Sequence, residues 1–147
     1  MTRYHPGDII EIRTEKGLAY VHLTHGHNSY PPVVRVLKGV QAERPADLAA
    51  HAASAPRVTA MIPLEQALDR LGLAHQKVGE VVLPEGERHF PTFRMPIRDK
   101  QGDIVYWWFW DGQGLSYLTA LDAVQETLPL REVMSSARLL RELQGAS

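Results

Sequence analysis

The sequence predicts an α+β fold: a small curled antiparallel β-sheet or partial barrel, short helices and a C-terminal amphipathic helix. Three observations carry this. The chain opens with closely spaced strand-like runs, a second hairpin with alternating apolar residues spans 92–111, and leucines fall at helical spacing in two places.

Gly7–Arg13 (GDIIEIR) is isoleucine-rich and reads as a strand, with Thr14-Glu15-Lys16-Gly17 as its turn. Leu18–Thr24 (LAYVHLT) returns. It places Ala19, Val21 and Leu23 on one face and Leu18, Tyr20, His22 and Thr24 on the other, because side chains alternate along a strand. His25–Pro32 is a loop by its Gly26, Asn28 and paired prolines, and Val33–Leu37 is a third strand. Three strands so close together predict a curled sheet.

The middle of the chain predicts a helix over Ala46–Ser54 after Pro45, a strand over Val58–Ile62, and a helix after Pro63 in which Leu64, Ala67, Leu68 and Leu71 share one face. Gly72 is its stop. The next stretch, Leu73–His89, is interrupted by glycine and proline and yields a short strand at Glu80–Leu83.

Thr92–Arg98 (TFRMPIR) alternates, and Pro96, which has no N–H to give a ladder, marks it as an edge strand or a bulge. Asp103–Asp111 (DIVYWWFWD) pairs with it. Both of its faces are apolar, with Tyr106, Trp108 and Trp110 on one and Val105, Trp107 and Phe109 on the other. Such a strand is central and covered on both sides, or half of it meets a partner. Leu115–Leu118 adds a last strand. Leu130–Leu143 predicts the terminal helix, with Val133, Ala137 and Leu140 as its apolar stripe and Met134 and Leu143 beside it. Arg138 and Glu142 lie one turn apart on its polar side.

The 147 residues fit a single domain spanning 1–147, large enough to bury a core without staples. With 16 basic and 17 acidic residues the net charge is −1, which argues against nucleic acid as the main partner, since phosphate neutralisation needs a basic excess. The absence of cysteine removes disulfides, thiolate catalysis and the usual structural zinc sites. Met1–Asp8 lacks the pattern of a signal peptide, and no apolar run is long enough to span a bilayer. The expectation is therefore a cytoplasmic protein with no membrane partner.

No catalytic motif is recognised: serine nucleophile patterns, phosphate-binding glycine loops and H-E-x-x-H are all missing, so no catalytic residue is assigned and the cofactor is unknown. His22, His25 and His27 fall within six residues. In an extended chain His25 and His27 project to one side, as an H-x-H metal pair does, but no carboxylate lies beside them and a solvated polar loop with a histidine at the strand end is the favoured account. The aromatic run Trp107–Gly112 offers interface anchors or ordinary core, with Trp107 or Trp110 as its exposed member. Arg35, Arg94 and Arg98 offer contacts to an acidic partner, or keep a sheet edge soluble. The residues assigned to a partner surface are Tyr30, Arg94, Trp107, Trp110 and Asp111.

The opening Gly7-Asp8-Ile9-Ile10-Glu11-Ile12, a turn, and Gly17-Leu18-Ala19-Tyr20-Val21 together resemble the start of the immunity-protein family numbered twenty-six of bacterial polymorphic-toxin systems. The resemblance covers about the first quarter of the chain. Arg35–Gly39 (RVLKG) and Trp107–Gly112 (WWFWDG) look like a family of short bacterial proteins without an assigned activity. The resemblance implies a curled sheet with helices, and a role in binding another protein rather than in catalysis. Two readings stand: a non-enzymatic, immunity-like protein-binding module, homo-oligomeric through the aromatic strand or the terminal helix, and a small-molecule or metal-dependent enzyme using His22, His25 and His27.

Overall fold

A computed structural model describes residues 4–27, 29–54, 56–83, 89–118, 121–123, 125–130 and 133–145. The fold is α+β, with two open antiparallel sheets and three short helices; neither sheet closes into a barrel. The chain divides into two compact units, Met1–Arg88 with Val133–Ser147, and His89–Glu132. Among the described residues no helix is long and apolar enough to cross a membrane.

The first unit is a five-stranded sheet in the order β4-β3-β2-β1-β5, from β1 (Asp8–Thr14), β2 (Gly17–His25), β3 (Val33–Val36), β4 (Val58–Met61) and β5 (His75–Glu80). The β1–β2 hairpin pairs Ile9 with His22 and Thr14 with Gly17, the register its turn dictates. One face carries Ile10, Ile12, Ala19, Val21 and Leu23 against α2 (Leu64–Leu71) and α3 (Ser136–Leu143). There Leu68 and Leu139 have no solvent exposure, and each such burial contributes about 2 kcal/mol. The opposite face holds a smaller cluster, Ile9, Tyr20, Leu37 and Ala52, under α1 (Leu48–Ala53). α2 ends where expected, with Gly72 in the left-handed region at φ 72°.

Three expectations are corrected. The strand expected at Glu80–Leu83 runs instead from His75 to Glu80. Its polar sequence HQKVGE suits a sheet edge, where half of each side chain meets water. α1 begins at Leu48, because the Asp47 carboxylate accepts the Ala50 N–H and so caps it there. The terminal helix is shorter than Leu130–Leu143. Ser135 caps it by accepting the Arg138 N–H, and Met134 is held in extended backbone by Met61 O. The inward face is therefore Leu139 and Leu143. Val133 is 54% exposed, and Glu142 pairs with Arg57 at 2.9 Å.

The second unit is a three-stranded antiparallel sheet, β6 (Phe93–Arg98), β7 (Ile104–Trp110) and β8 (Leu115–Leu118), with the aromatic β7 in the centre. Pro96 lies on an edge strand, as its missing N–H requires. Phe90, Phe93 and Trp110 pack together at ring separations of 5.3–6.1 Å and form the core of this small unit.

Candidate functional site

In the first unit the histidines take different neighbours. His22 is 1% exposed on β2, and its Nε2 donates to the Val81 carbonyl at 2.9 Å, so Nδ1 carries the lone pair and has no partner. Burial pushes its pKa down, with Arg35 adding to the effect; the Val81 and Gly7 carbonyls and Asp8 pull the other way. A β-bulge separates Leu23 from His25, and His25 Nδ1 meets the Thr24 hydroxyl at 2.8 Å. His27 Nδ1 accepts the Ser29 N–H, and its ring meets Tyr30 edge-on. Among the described residues no group of three or more histidines and carboxylates gathers as a metal would require.

A folded-state pKa below 6.5 means that His22 binds its proton more weakly in the native chain than in the unfolded one. The stability it supports is intact above pH 6.5 and falls as the pH drops below that value. In denaturant melts, His22→Gln is expected to flatten the slope below pH 6.5 by up to about 1.4 kcal/mol per pH unit. An unchanged slope would remove His22 as its source.

The polar centre of the first unit is Glu11, 7% exposed. It accepts Tyr20 Oη at 2.7 Å, Arg44 Nε at 2.7 Å and Nη2 at 3.3 Å, and Gln76 Nε2 at 3.3 Å. The Arg44 hydrogen bond is the main cause that holds its pKa at about 2, against burial, which acts upward; Tyr20 and Gln76 assist. Burial and the Glu11 charge push the Tyr20 hydroxyl far above its usual range. The carboxylate is saturated by its own protein, so this network ties β1, β2, β5 and Arg44 together. A second polar chain runs from Tyr4 Oη to His75 Nδ1 at 2.6 Å and from His75 Nε2 to Asp69 at 2.8 Å. The His75 side chain is only 4% exposed, while Asp69 at the end of the chain is 66% exposed. A cleft of about 280 Å³ opens beside Pro31, Pro32, Pro63 and Glu65, and Glu65 already accepts the Tyr4 N–H.

The second unit, His89–Glu132, holds four of the five residues assigned to a partner. Arg94, assigned to a partner, serves its own sheet: Nε donates to Leu128 O at 2.8 Å and the guanidinium lies 4.9 Å from the Trp107 ring centroid. Asp111 accepts the Gly114 and Gln113 N–H groups, which lower its pKa and fix the β7–β8 turn. Of the two rings expected to be exposed, Trp110 is not. Trp110 is 7% exposed within the Phe90–Phe93 core, and Trp107 is half-buried beneath Arg94. Tyr30 is 37% exposed and belongs to the first unit.

The aromatic surface of this sheet centres on half-buried Tyr106 and Trp108 and exposed Tyr117, none of them among the five residues assigned to a partner. Cross-strand pairing sets Trp108 of β7 beside Tyr117 of β8, and Tyr106 completes a cluster with ring separations of 5.8–6.2 Å. Tyr117 is 63% exposed, Leu115 57% and Leu118 44%. Neither tyrosine hydroxyl nor the Trp108 indole N–H bonds to another described residue. A cleft of about 290 Å³ lined by Thr92, Phe109, Asp111, Gly114 and Leu115 opens at the turn end of the same sheet. The signal in the sequence was Leu115-Ser116-Tyr117-Leu118 itself, a strand with neither charge nor proline.

Comparison with protein-family models, with curated proteins and with solved structures finds no match to this chain.

Proposed function

We propose that this protein is a non-enzymatic protein-binding module, immunity-like in its role, that captures a partner on the aromatic face of its three-stranded sheet. The observation that supports this is the Tyr106–Trp108–Tyr117 cluster on a sheet whose last strand, β8, is exposed at all four residues. Tyrosine and tryptophan dominate binding hot spots, because they bury much area at small entropic cost and carry a hydrogen-bonding group. The resemblance of the opening strands to an immunity family points the same way. In the first unit, the polar clusters around Glu11 and His75 are engaged with the protein itself.

The test is binding to the products of the genes that flank this one, with a toxin as the expected partner. A binding product should lose affinity by about 30-fold or more with Trp108→Ala or Tyr117→Ala, the loss of one hot-spot residue. Tyr30→Ala should bind as the wild type does. Retained affinity in both aromatic variants, or no binding by any flanking product, would overturn the reading.

A further inference from the structure

We propose that a second copy of this chain occupies the free edge of the small sheet: two β8 strands pair antiparallel about a two-fold axis at Ser116, joining two three-stranded sheets into one of six strands. The two edges of the sheet are treated differently by the fold. Along β6, the Arg94 N–H donates to Pro129 O at 2.8 Å, Arg94 bridges to Leu130, and Pro96 has no N–H to offer. Along β8, the inner side pairs with β7, and Leu115–Leu118 make no further backbone hydrogen bond to described residues. Natural sheets cover or charge such an edge; this one does neither.

The sequence of β8 is self-complementary about Ser116. An antiparallel register centred there sets Leu115 opposite Tyr117 of the second copy, on the face that already carries Trp108. It sets Leu118 opposite Gly114, where a side chain would meet nothing within 4 Å, so the leucine has room. The strand has no charge for the axis to bring against itself. Leu115 and Tyr117 are 57% and 63% exposed on the Trp108 face and Leu118 is 44% exposed on the other, so the pairing strand is open to solvent on both faces. Heterologous binding is a separate matter, since pairing uses the backbone edge and capture uses the ring face; in the dimer the two ring faces lie side by side.

The absence of cysteine makes the test direct. The full chain at micromolar concentration should sediment at twice 16.5 kDa. Leu115→Lys should weaken dimerisation by at least about tenfold, by burying a charge at the pairing strand. Ser116→Cys should crosslink its two copies on mild oxidation, since residues opposite each other on an antiparallel pair fall within the roughly 4.4–6.8 Å Cα window of a disulfide. Ser29→Cys, exposed in the other unit, is the control. A monomer overturns the proposal. So does a dimer indifferent to Leu115→Lys, or Ser116→Cys crosslinking no faster than Ser29→Cys.

Discussion

Glu11→Ala is expected to lower the free energy of unfolding by about 3 kcal/mol. Tyr20 is fully buried, and its hydroxyl loses its acceptor; a buried donor left unmet accounts for about 2 kcal/mol and the vacated methylenes for the rest. Arg44 is half-exposed and returns to water, so the loss stays below that of breaking a fully buried ion pair. The pH dependence follows from the direction of the shift. The Glu11 pKa falls from 4.5 to about 2 on folding, so its contribution is complete above pH 4.5 and disappears as the pH falls toward 2. Urea melts of both proteins across that range check it: the gap between wild type and variant should narrow as acid is added. A gap that is constant with pH would show that the carboxylate's charge plays no part.

Gly17→Val is expected to cost a further amount of the same size, about 3 kcal/mol, for a different reason. Gly17 has φ 135°, in the region that only glycine occupies freely. A Cβ there would stand 2.7 Å from Val40 Cγ1 and 2.8 Å from the Gln41 carbonyl oxygen. The oxygen belongs to backbone that is itself held, since Leu18 and Gln41 exchange hydrogen bonds of 2.7 and 2.8 Å. Gly102→Ala is the comparison: φ is 91°, nothing lies within 4 Å, and backbone strain alone should cost about 1 kcal/mol. Thermal or denaturant melts of the two variants separate strain from collision. Equal losses would mean that the Val40–Gln41 segment yields freely.

Elements whose cause is local were legible in the sequence. The β1–β2 hairpin follows from alternation around a glycine turn, β6–β7 from alternation with Pro96 at an edge, and α2 from leucines at helical spacing closed by Gly72. Elements defined by their neighbours were not. β5 reads as polar loop, and it is a strand because β1 offers it an edge. The spacing over Leu130–Leu143 points Val133, Ala137 and Leu140 inward with Met134 and Leu143 beside them, whereas the Ser135 cap starts the helix later and turns Leu139 and Leu143 to the core.

The candidate surface divides along the same line. Sequence alone determined that Tyr106, Trp108 and Trp110 share one face of β7, because side-chain direction along a strand alternates whatever surrounds it. Tertiary structure alone decided how far each ring of β7 is covered. Phe90 and Phe93 cover Trp110, Arg94 covers Trp107, and the tail at Pro129–Leu130 closes one edge of the sheet while β8 stays open. Alternation fixes the direction of a side chain; exposure depends on what distant segments bring to meet it, and no local pattern encodes that.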